Sequence, residues 1–193
     1  MGRLFYIMGK SASGKDTIYQ RLLRNPEFSL ERLVIYTTRP IRDGELDGRE
    51  YHFVTEEDFQ KLKAAGKIIE DRGYETVYGL WRYFTADNMD LEEKNYLGIG
   101  TLESYEKLKA YYGEEKIRPI YIEVEDGERL SRALNRERMQ ESPKYEELCR
   151  RFLADAKDFS EEKLNEAGIT RRFVNQDLDE TEEEIRRAIL EDR

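Results

Sequence analysis

A glycine-rich segment near the start of the chain has the composition and spacing of a phosphate-binding loop. It runs from Gly9 to Thr17 and reads Gly-Lys-Ser-Ala-Ser-Gly-Lys-Asp-Thr. Glycines let the backbone turn tightly enough to direct its N–H groups at a phosphate, and Lys15 adds a mobile positive charge for the β and γ phosphates of a nucleotide. Asp16 stands where the usual pattern has a hydroxyl residue, so Thr17 is the candidate hydroxyl ligand for the Mg²⁺ that accompanies ATP. The segment therefore predicts an ATP site.

A glycine-rich turn that only joins a strand to a helix is the simpler interpretation of this segment. An apolar strand directly before it and an amphipathic helix directly after it favour the phosphate loop. Asp16 either complements the positive end of that helix or holds magnesium-bound water, and both interpretations stay open. The predicted ATP-binding residues of the loop are Gly9, Lys10, Ser11, Ala12, Ser13, Gly14, Lys15, Asp16 and Thr17.

A second cationic group lies between two predicted strands. Arg39 and Arg42 come at the end of one strand, and Tyr51 begins the next. Two guanidinium groups and a phenol suit a phosphate dianion, because forked N–H donors match the geometry of its oxygens. An exposed charged connector is the alternative interpretation of residues 39–50.

Strands and helices alternate along the chain, which predicts an α/β fold. We expect six helices: one directly after residues 9–16, and others from Thr55 to Gly66, from Thr101 to Gly113, at 126–140, at 144–158 and from Asp179 onwards. Strands are expected at 3–8, 33–38, 51–54, 67–70, 96–99, 118–124 and 170–175, with an antiparallel excursion at 74–85. We expect a mostly parallel central sheet with helices on both faces and a small mixed insertion around 35–90. Ser142-Pro143 predicts the start of the helix at 144–158, and Asp179 with Glu182 the start of the last helix.

The overall composition excludes several classes of function. The 193 residues are enough for one domain, and 38% of them are hydrophobic. A formal charge of −9 argues against a nucleic-acid or anionic-membrane partner. Cys149 is the single cysteine, so no internal disulfide can form; we expect it to be a buried or half-buried thiol in a reducing compartment. Together with an N-terminal apolar run too short for a signal peptide, this predicts a cytoplasmic protein.

Taken whole, the chain resembles the guanylate kinase family. The acceptor segment of that family reads TTR-x-PR-x-GE-x-DG-x-x-YHFV, and residues 37–54 here read TTRPIRDGELDGREYHFV. The resemblance continues through Glu56-Glu57-Asp58-Phe59, Gly66-Lys67-Ile68-Ile69-Glu70 and Val77-Tyr78-Gly79, and resumes at Val174-Asn175-Gln176-Asp177-Leu178. It implies a P-loop kinase fold over residues 1–193, with a core of 1–34, 91–125 and 160–193. It also implies an acceptor-binding region at 35–90 and a helical lid at about 126–159.

The resemblance also assigns roles to single residues. The acceptor phosphate falls to Arg39, Arg42, Tyr51 and Tyr78. Glu70 is expected to accept hydrogen bonds from the guanine N1–H and amino group, although a solvated acid at a strand end is its simpler interpretation. The resemblance implies that two lid arginines close over the transferring phosphoryl group: Arg151 and either Arg136 or Arg138. It also implies that Asn175 lies near the adenine of ATP. The catalytic set is Lys15, Arg42, Arg136, Arg138 and Arg151.

Several positions depart from the family pattern. Ile35 and Leu80 stand where the family has polar residues, and Gly98 and Gly100 replace two aspartates. The family uses these groups largely for guanine contacts, and a guanine edge left without partners loses about 1–3 kcal/mol per group. The phosphate-binding residues are intact, so phosphoryl transfer is predicted more firmly than the base.

The expected reaction is ATP + GMP to ADP + GDP, with Mg²⁺ accompanying ATP and small-molecule nucleotides as the partners. Two alternatives stay open. Ribose 1,5-bisphosphate phosphokinases resemble this family and also carry an Asp after the loop lysine, as Asp16 does here. A non-catalytic guanylate-kinase-like domain would bind phosphorylated ligands through Arg39, Arg42 and Tyr51. The sequence leaves open a monomer or a homodimer.

Overall fold

The structure, a computed structural model, describes residues 2–76 and 78–192. Val77, part of one motif quoted above, lies outside the described residues. The strands are β1 Leu4–Met8, β2 Leu30–Arg32, β3 Tyr36–Thr37, β4 His52–Phe53, β5 Ile68–Thr76, β6 Gly79–Ala86, β7 Asn95–Ile99, β8 Ile117–Glu123 and β9 Arg172–Val174. The helices are α1 Lys15–Arg24, α2 Glu56–Ala64, α3 Leu102–Tyr112, α4 Asp126–Arg138, α5 Tyr145–Asp158, α6 Glu161–Glu166 and α7 Leu178–Glu191.

The central sheet has five parallel strands in the order β2-β7-β1-β8-β9. Its middle strand, β1, is buried on both faces because successive side chains point to opposite sides. Leu4, Tyr6 and Met8 join one hydrophobic core with α3 and α6. Phe5 and Ile7 join a second core with α1 and α7. The predicted α/β fold, with a parallel sheet covered on both faces, is confirmed.

A smaller mixed sheet lies in the predicted insertion, in the order β4-β3-β6-β5. β3 pairs with β4 in parallel, while β6 pairs antiparallel with both β3 and β5. Phe59 of α2 packs edge-on against Phe84 of β6 and closes a third, smaller core. Helix α2 begins with a full capping box, in which Thr55 and Asp58 satisfy each other's backbone N–H groups.

Four local predictions are wrong. The strand expected at 33–38 covers only two residues, those of β3. The chain passes there from the central sheet, which contains β2, to the smaller sheet, which contains β3. Helix α5 begins at Tyr145, and its N-cap is Lys144 instead of the predicted Ser142. The backbone N–H of Lys144 donates to the carboxylate of Glu137. Asp177, not Asp179, caps α7 by accepting from two backbone N–H groups. Cys149 is exposed on the outer side of α5.

Among the described residues, no helix is both long and apolar enough to cross a membrane.

Candidate active site

The glycine-rich loop connects the end of β1 to the start of α1, as predicted. Gly14 is the N-cap of α1 and adopts a left-handed conformation, with φ of 87°. A side chain at this position would collide with the amide of Asn175, so glycine is required both for the backbone angle and for the close approach. Ala12 is also left-handed, with φ of 64°. The first helical residue is Lys15, which directly follows the loop glycine Gly14.

Side chains from distant parts of the chain hold this loop in place. The amide of Asn175, which is buried, donates to the backbone oxygen of Ser13 at 2.8 Å. The backbone N–H of Ser11 donates to the carboxylate of Asp155 at 2.7 Å. Lys10 pairs with Asp126 at 3.2 Å. The loop is therefore fixed to the segment between β9 and α7 on one side and to the two helices of the expected lid on the other.

Arg129 is the group that ties α4 and α5 to the loop. Its guanidinium, only 1% exposed, pairs with Asp126 at 2.9 Å and with Asp155 at 3.2 Å. It also donates to the backbone oxygen of Ser11 at 3.3 Å and lies 4.2 Å from the ring centre of Phe152. Sequence reasoning missed Arg129, because one arginine among many charged residues of a helix carries no signal that it is buried.

In the first turn of α1, the two residues that follow Lys15 are exposed. The carboxylate of Asp16 lies 3.6 Å from the Lys15 ammonium and is 85% exposed, and Thr17 is exposed beside it. Both interpretations of Asp16 remain compatible with this position in the first turn of α1.

The structure distinguishes between the two candidate lid arginines of α4, Arg136 and Arg138. Arg136 of α4 and Arg151 of α5 line one small cleft together with Ser11 of the loop. Arg136 and Arg138 are both exposed, but Arg138 is not one of the described residues that line this cleft. The geometry thus favours Arg136 over Arg138 as the partner of Arg151.

An aromatic cavity of about 460 Å³ opens beside the carboxyl end of β7, where Ile99 and Gly100 line it. Tyr51 and Tyr74 each meet Tyr83 edge to face, with ring centres 5.6 and 5.7 Å apart. The described lining residues are Ile35, Tyr51, Arg72, Tyr74, Trp81, Tyr83, Ile99 and Gly100. Flat aromatic and apolar walls of this kind suit a planar ring of a ligand.

The phosphate loop and the cavity lie on one edge of the sheet. β1 and β7 are neighbouring parallel strands, with Ile7 in register with Ile99. The loop follows the carboxyl end of β1 and the cavity wall follows the carboxyl end of β7, so the two openings are neighbours. Ligands of open parallel sheets bind at this edge.

Arg39 is buried beside the ring of Tyr51, which is one of the residues that line the cavity. Its guanidinium donates to both carboxylate oxygens of Glu45, at 2.8 and 3.0 Å, and lies 5.4 Å from the ring centre of Tyr51. Hydrogen bonding to Arg39 lowers the pKa of Glu45. Arg42 is exposed, and its backbone N–H donates to the same carboxylate. Of the two predicted phosphate-binding arginines, one is therefore oriented by an acid and the other is free in solvent.

Tyr78, assigned to the acceptor phosphate, is not brought to this wall. It is 81% exposed at the tip of the β5–β6 hairpin and stacks on Trp81, with ring centres 6.1 Å apart.

Glu70 is buried, so its interpretation as a solvated acid at a strand end is wrong. It lies on β5 and is only 4% exposed. One carboxylate oxygen accepts a hydrogen bond from the hydroxyl of Thr85 at 2.8 Å, and the other lies 3.3 Å from Nε of Arg72. A buried carboxylate that is fixed in this way presents its remaining acceptor sites in one orientation.

Tyr6 occupies the space beside the two glycines that replace aspartates. A side chain built on Gly98 or Gly100 would collide with the ring or the hydroxyl of Tyr6. Burial raises the pKa of Tyr6, and the nearby Glu70 raises it further. The ring of Tyr6 can therefore occupy this space only because residues 98 and 100 are glycines. Gly98 lies on β7, which pairs with β1, and Gly100 directly follows β7; the sequence alone does not show that Tyr6 lies beside them.

Three comparisons place this geometry among known proteins. The family model described as guanylate kinase matches residues 1–192. A guanylate kinase from Porphyromonas gingivalis is 31% identical over 99% of this chain and 98% of its own length. One from Nitratidesulfovibrio vulgaris is 32% identical over 99% of this chain and 87% of its own length. The crystal structure of guanylate kinase from Anaplasma phagocytophilum, 21% identical, has the same fold, with a TM-score of 0.64 over 98% of this chain and 85% of the other.

Proposed function

This chain belongs to the guanylate kinase family, and we propose that it transfers the γ-phosphoryl group of ATP to GMP, forming ADP and GDP. The observation that carries the proposal is the shared sheet edge, where a phosphate loop after β1 and an aromatic cavity after β7 open side by side. Two nucleotides bound there meet with their phosphates between them.

The chemistry needs no general base, because the attacking oxygen of a nucleoside monophosphate is already anionic. Catalysis then consists of positioning two anions in line and stabilising the charge between them. Lys15 and the backbone N–H groups of the loop would hold the phosphates of ATP. Arg136 and Arg151, which share a cleft with Ser11, would reach the transferring group when the lid closes.

The loop fits a Mg²⁺ ion bound with ATP. Mg²⁺ in kinases keeps several waters and takes only one or two ligands from the protein, the others coming from phosphates. Thr17 offers one exposed hydroxyl, and Asp16 is near enough to accept from a bound water. The described part of the chain contains no group of three or more acidic, histidine or cysteine side chains that could hold a metal ion. When bound, the ion neutralises charge on the phosphates.

The acceptor phosphate is proposed to bind Arg39, Arg42 and Tyr51. Glu45 holds two N–H groups of the buried Arg39, so the guanidinium would have to turn from Glu45 to donate directly to a phosphate. Tyr78 joins these groups only when the hairpin tip moves towards the cavity. Glu70 supplies the carboxylate for the guanine edge.

The shape of the cavity favours a nucleotide acceptor over ribose 1,5-bisphosphate. Tyr51, Tyr74, Trp81 and Tyr83 supply aromatic surface that a base covers and that a sugar bisphosphate leaves exposed to water. The intact loop around Lys15 favours an enzyme over a non-catalytic binding domain. We further propose small-molecule nucleotides as the partners and the cytoplasm as the compartment. The proposed division is a core, an acceptor region at 35–90 and a lid at about 126–159.

A coupled ADP-release assay with GMP, dGMP, AMP, UMP, CMP and ribose 1,5-bisphosphate tests the proposal. We expect kcat/KM for GMP to exceed that for AMP, UMP, CMP and the sugar bisphosphate at least tenfold. Lys15→Ala is expected to abolish turnover without changing the melting temperature. Lys61→Ala, which removes an exposed lysine of α2, is the matched control and retains turnover. Preference for the sugar bisphosphate, or full activity in Lys15→Ala, would contradict the proposal.

A further inference from the structure

Arg72 is a cation inside the acceptor cavity that the reaction proposed above does not use. It lies on β5, lines the aromatic cavity, and also lines the neighbouring polar cavity beside Thr101 and Glu103. Its side chain is only 27% exposed. Across residues 2–76 and 78–192, the single acid within 4.0 Å of its guanidinium is Glu70.

Within the described chain, Nε is the nitrogen of the guanidinium that lies close to an acid. Nε lies 3.3 Å from a carboxylate oxygen of Glu70, and within the described chain this buried nitrogen has no partner that satisfies hydrogen-bond geometry. The cation is half-buried, and leaving its buried Nε without a hydrogen bond is costly unless a ligand completes the hydrogen bonds of this group. Two Nη groups remain on the same planar fork, on a residue that lines the cavity.

Arg72 and Glu70 present opposite hydrogen-bonding characters side by side. The Glu70 carboxylate accepts, and the Arg72 guanidinium only donates. The Watson–Crick edge of guanine has the complementary order: the amino group and N1–H donate, and O6 next to them accepts. Arginine is well suited to this part of guanine, because its donors match O6 and N7.

The apolar positions in the cavity leave the oxo group without another side-chain donor at the sites where the family has polar residues. Ile35 lines the cavity with an alkyl group, and the side chain of Leu80 packs near Gly73. Tyr6 fills the space next to Gly98 and Gly100. A donor for O6 must therefore come from elsewhere in the wall.

We propose that Arg72 is a specificity-determining residue that donates a hydrogen bond to O6 of the acceptor guanine, while Glu70 accepts from N1–H and the amino group. This inference rests on the proposed function, since it concerns how GMP is chosen. It explains how a cavity without the usual polar residues can still select an oxopurine.

The test compares three acceptors in the unmodified enzyme and in Arg72→Met. GMP carries all the groups, 6-thio-GMP replaces O6 by a sulfur that accepts hydrogen bonds weakly, and IMP keeps O6 but lacks the amino group. In the unmodified enzyme we expect kcat/KM for GMP to exceed that for 6-thio-GMP about tenfold. In Arg72→Met we expect kcat/KM for GMP to fall about tenfold to a hundredfold, mainly through KM. The GMP to 6-thio-GMP ratio should then fall below about two, while the GMP to IMP ratio, which depends on Glu70, stays within about threefold.

Arg187→Met, at an exposed position of α7, controls for the loss of one positive charge and should leave all ratios unchanged. Arg72→Lys keeps the charge beside Glu70 and serves if the Met variant does not fold; it should retain part of the discrimination against 6-thio-GMP. A GMP to 6-thio-GMP ratio that is the same in the unmodified enzyme and the Arg72 variants, or a rise in kcat/KM for GMP, would overturn the inference and leave the proposed function standing. Absence of GDP formation by the unmodified enzyme would overturn both.

Discussion

Replacing Asn175 by alanine separates two roles for this residue. Its amide donates to the backbone oxygen of Ser13 at 2.8 Å inside the protein, and its own oxygen lies 3.5 Å from the hydroxyl of Thr181. Asn175→Ala leaves the Ser13 oxygen without that donor, at a cost of about 1–3 kcal/mol. For a chain of 193 residues, each kcal/mol shifts the melting temperature by about 2–4 °C. We therefore expect a drop of about 2–12 °C.

The same substitution should weaken ATP binding, because the carbonyl of Ser13 is part of the loop that holds the phosphates. Scanning calorimetry gives the melting temperature, and initial rates give KM for ATP and for GTP as phosphoryl donor. We expect KM for both donors to rise by the same factor, since the loop contacts phosphates and not the base. Asn165→Ala, at an exposed position of α6, is the control and should change stability by less than about 0.5 kcal/mol.

An unchanged melting temperature together with a rise in KM for ATP but not for GTP would refute this reasoning. That result would mean that Asn175 contacts the adenine, as the family resemblance implies.

Two further predictions concern ion pairs. Arg129→Met should lower the free energy of unfolding by about 3 kcal/mol, because it leaves Asp155 and half-exposed Asp126 without their buried partner. Urea unfolding measures this change. A change below about 1 kcal/mol, or an equal change in the control Arg187→Met, would contradict the prediction. Arg39 lowers the pKa of Glu45 below its ordinary value of 4.5, so this pair stabilises the folded protein above that pH and the stabilisation is lost as the pH falls through the lowered pKa. The stability difference between the unmodified protein and Glu45→Gln should therefore shrink as the pH falls from 7 to below 4.5, and a difference that grows would count against the pairing.

Local patterns were sufficient for the main features of the fold. The short apolar run of β1 between charged segments predicts a buried central strand, and the capping residues Thr55 and Thr101 predict where α2 and α3 begin. β2 could not be predicted in the same way, because it has one apolar residue in three and exists through its pairing with β7. α6 has only six residues, too few for a helical period to be recognised.

The site was predictable where one continuous segment builds it and not where distant segments meet. The phosphate loop is such a segment, and its position between β1 and α1 follows from sequence. The packing of Tyr6 against Gly98 and Gly100 depends on the register of two strands that are far apart in the chain. Likewise, the burial of Arg129 and the place of Arg72 in the cavity are properties of the folded chain only.

Phosphorus NMR of the unmodified protein incubated with ATP, GMP and Mg²⁺ tests the central claim most directly, since it identifies the products and not only the loss of ATP. If the two sites at the common sheet edge hold ATP and GMP in line, ADP and GDP appear in equal amounts and inorganic phosphate stays at the level of the blank. ADP accumulating with inorganic phosphate while GMP remains unchanged would contradict the claim.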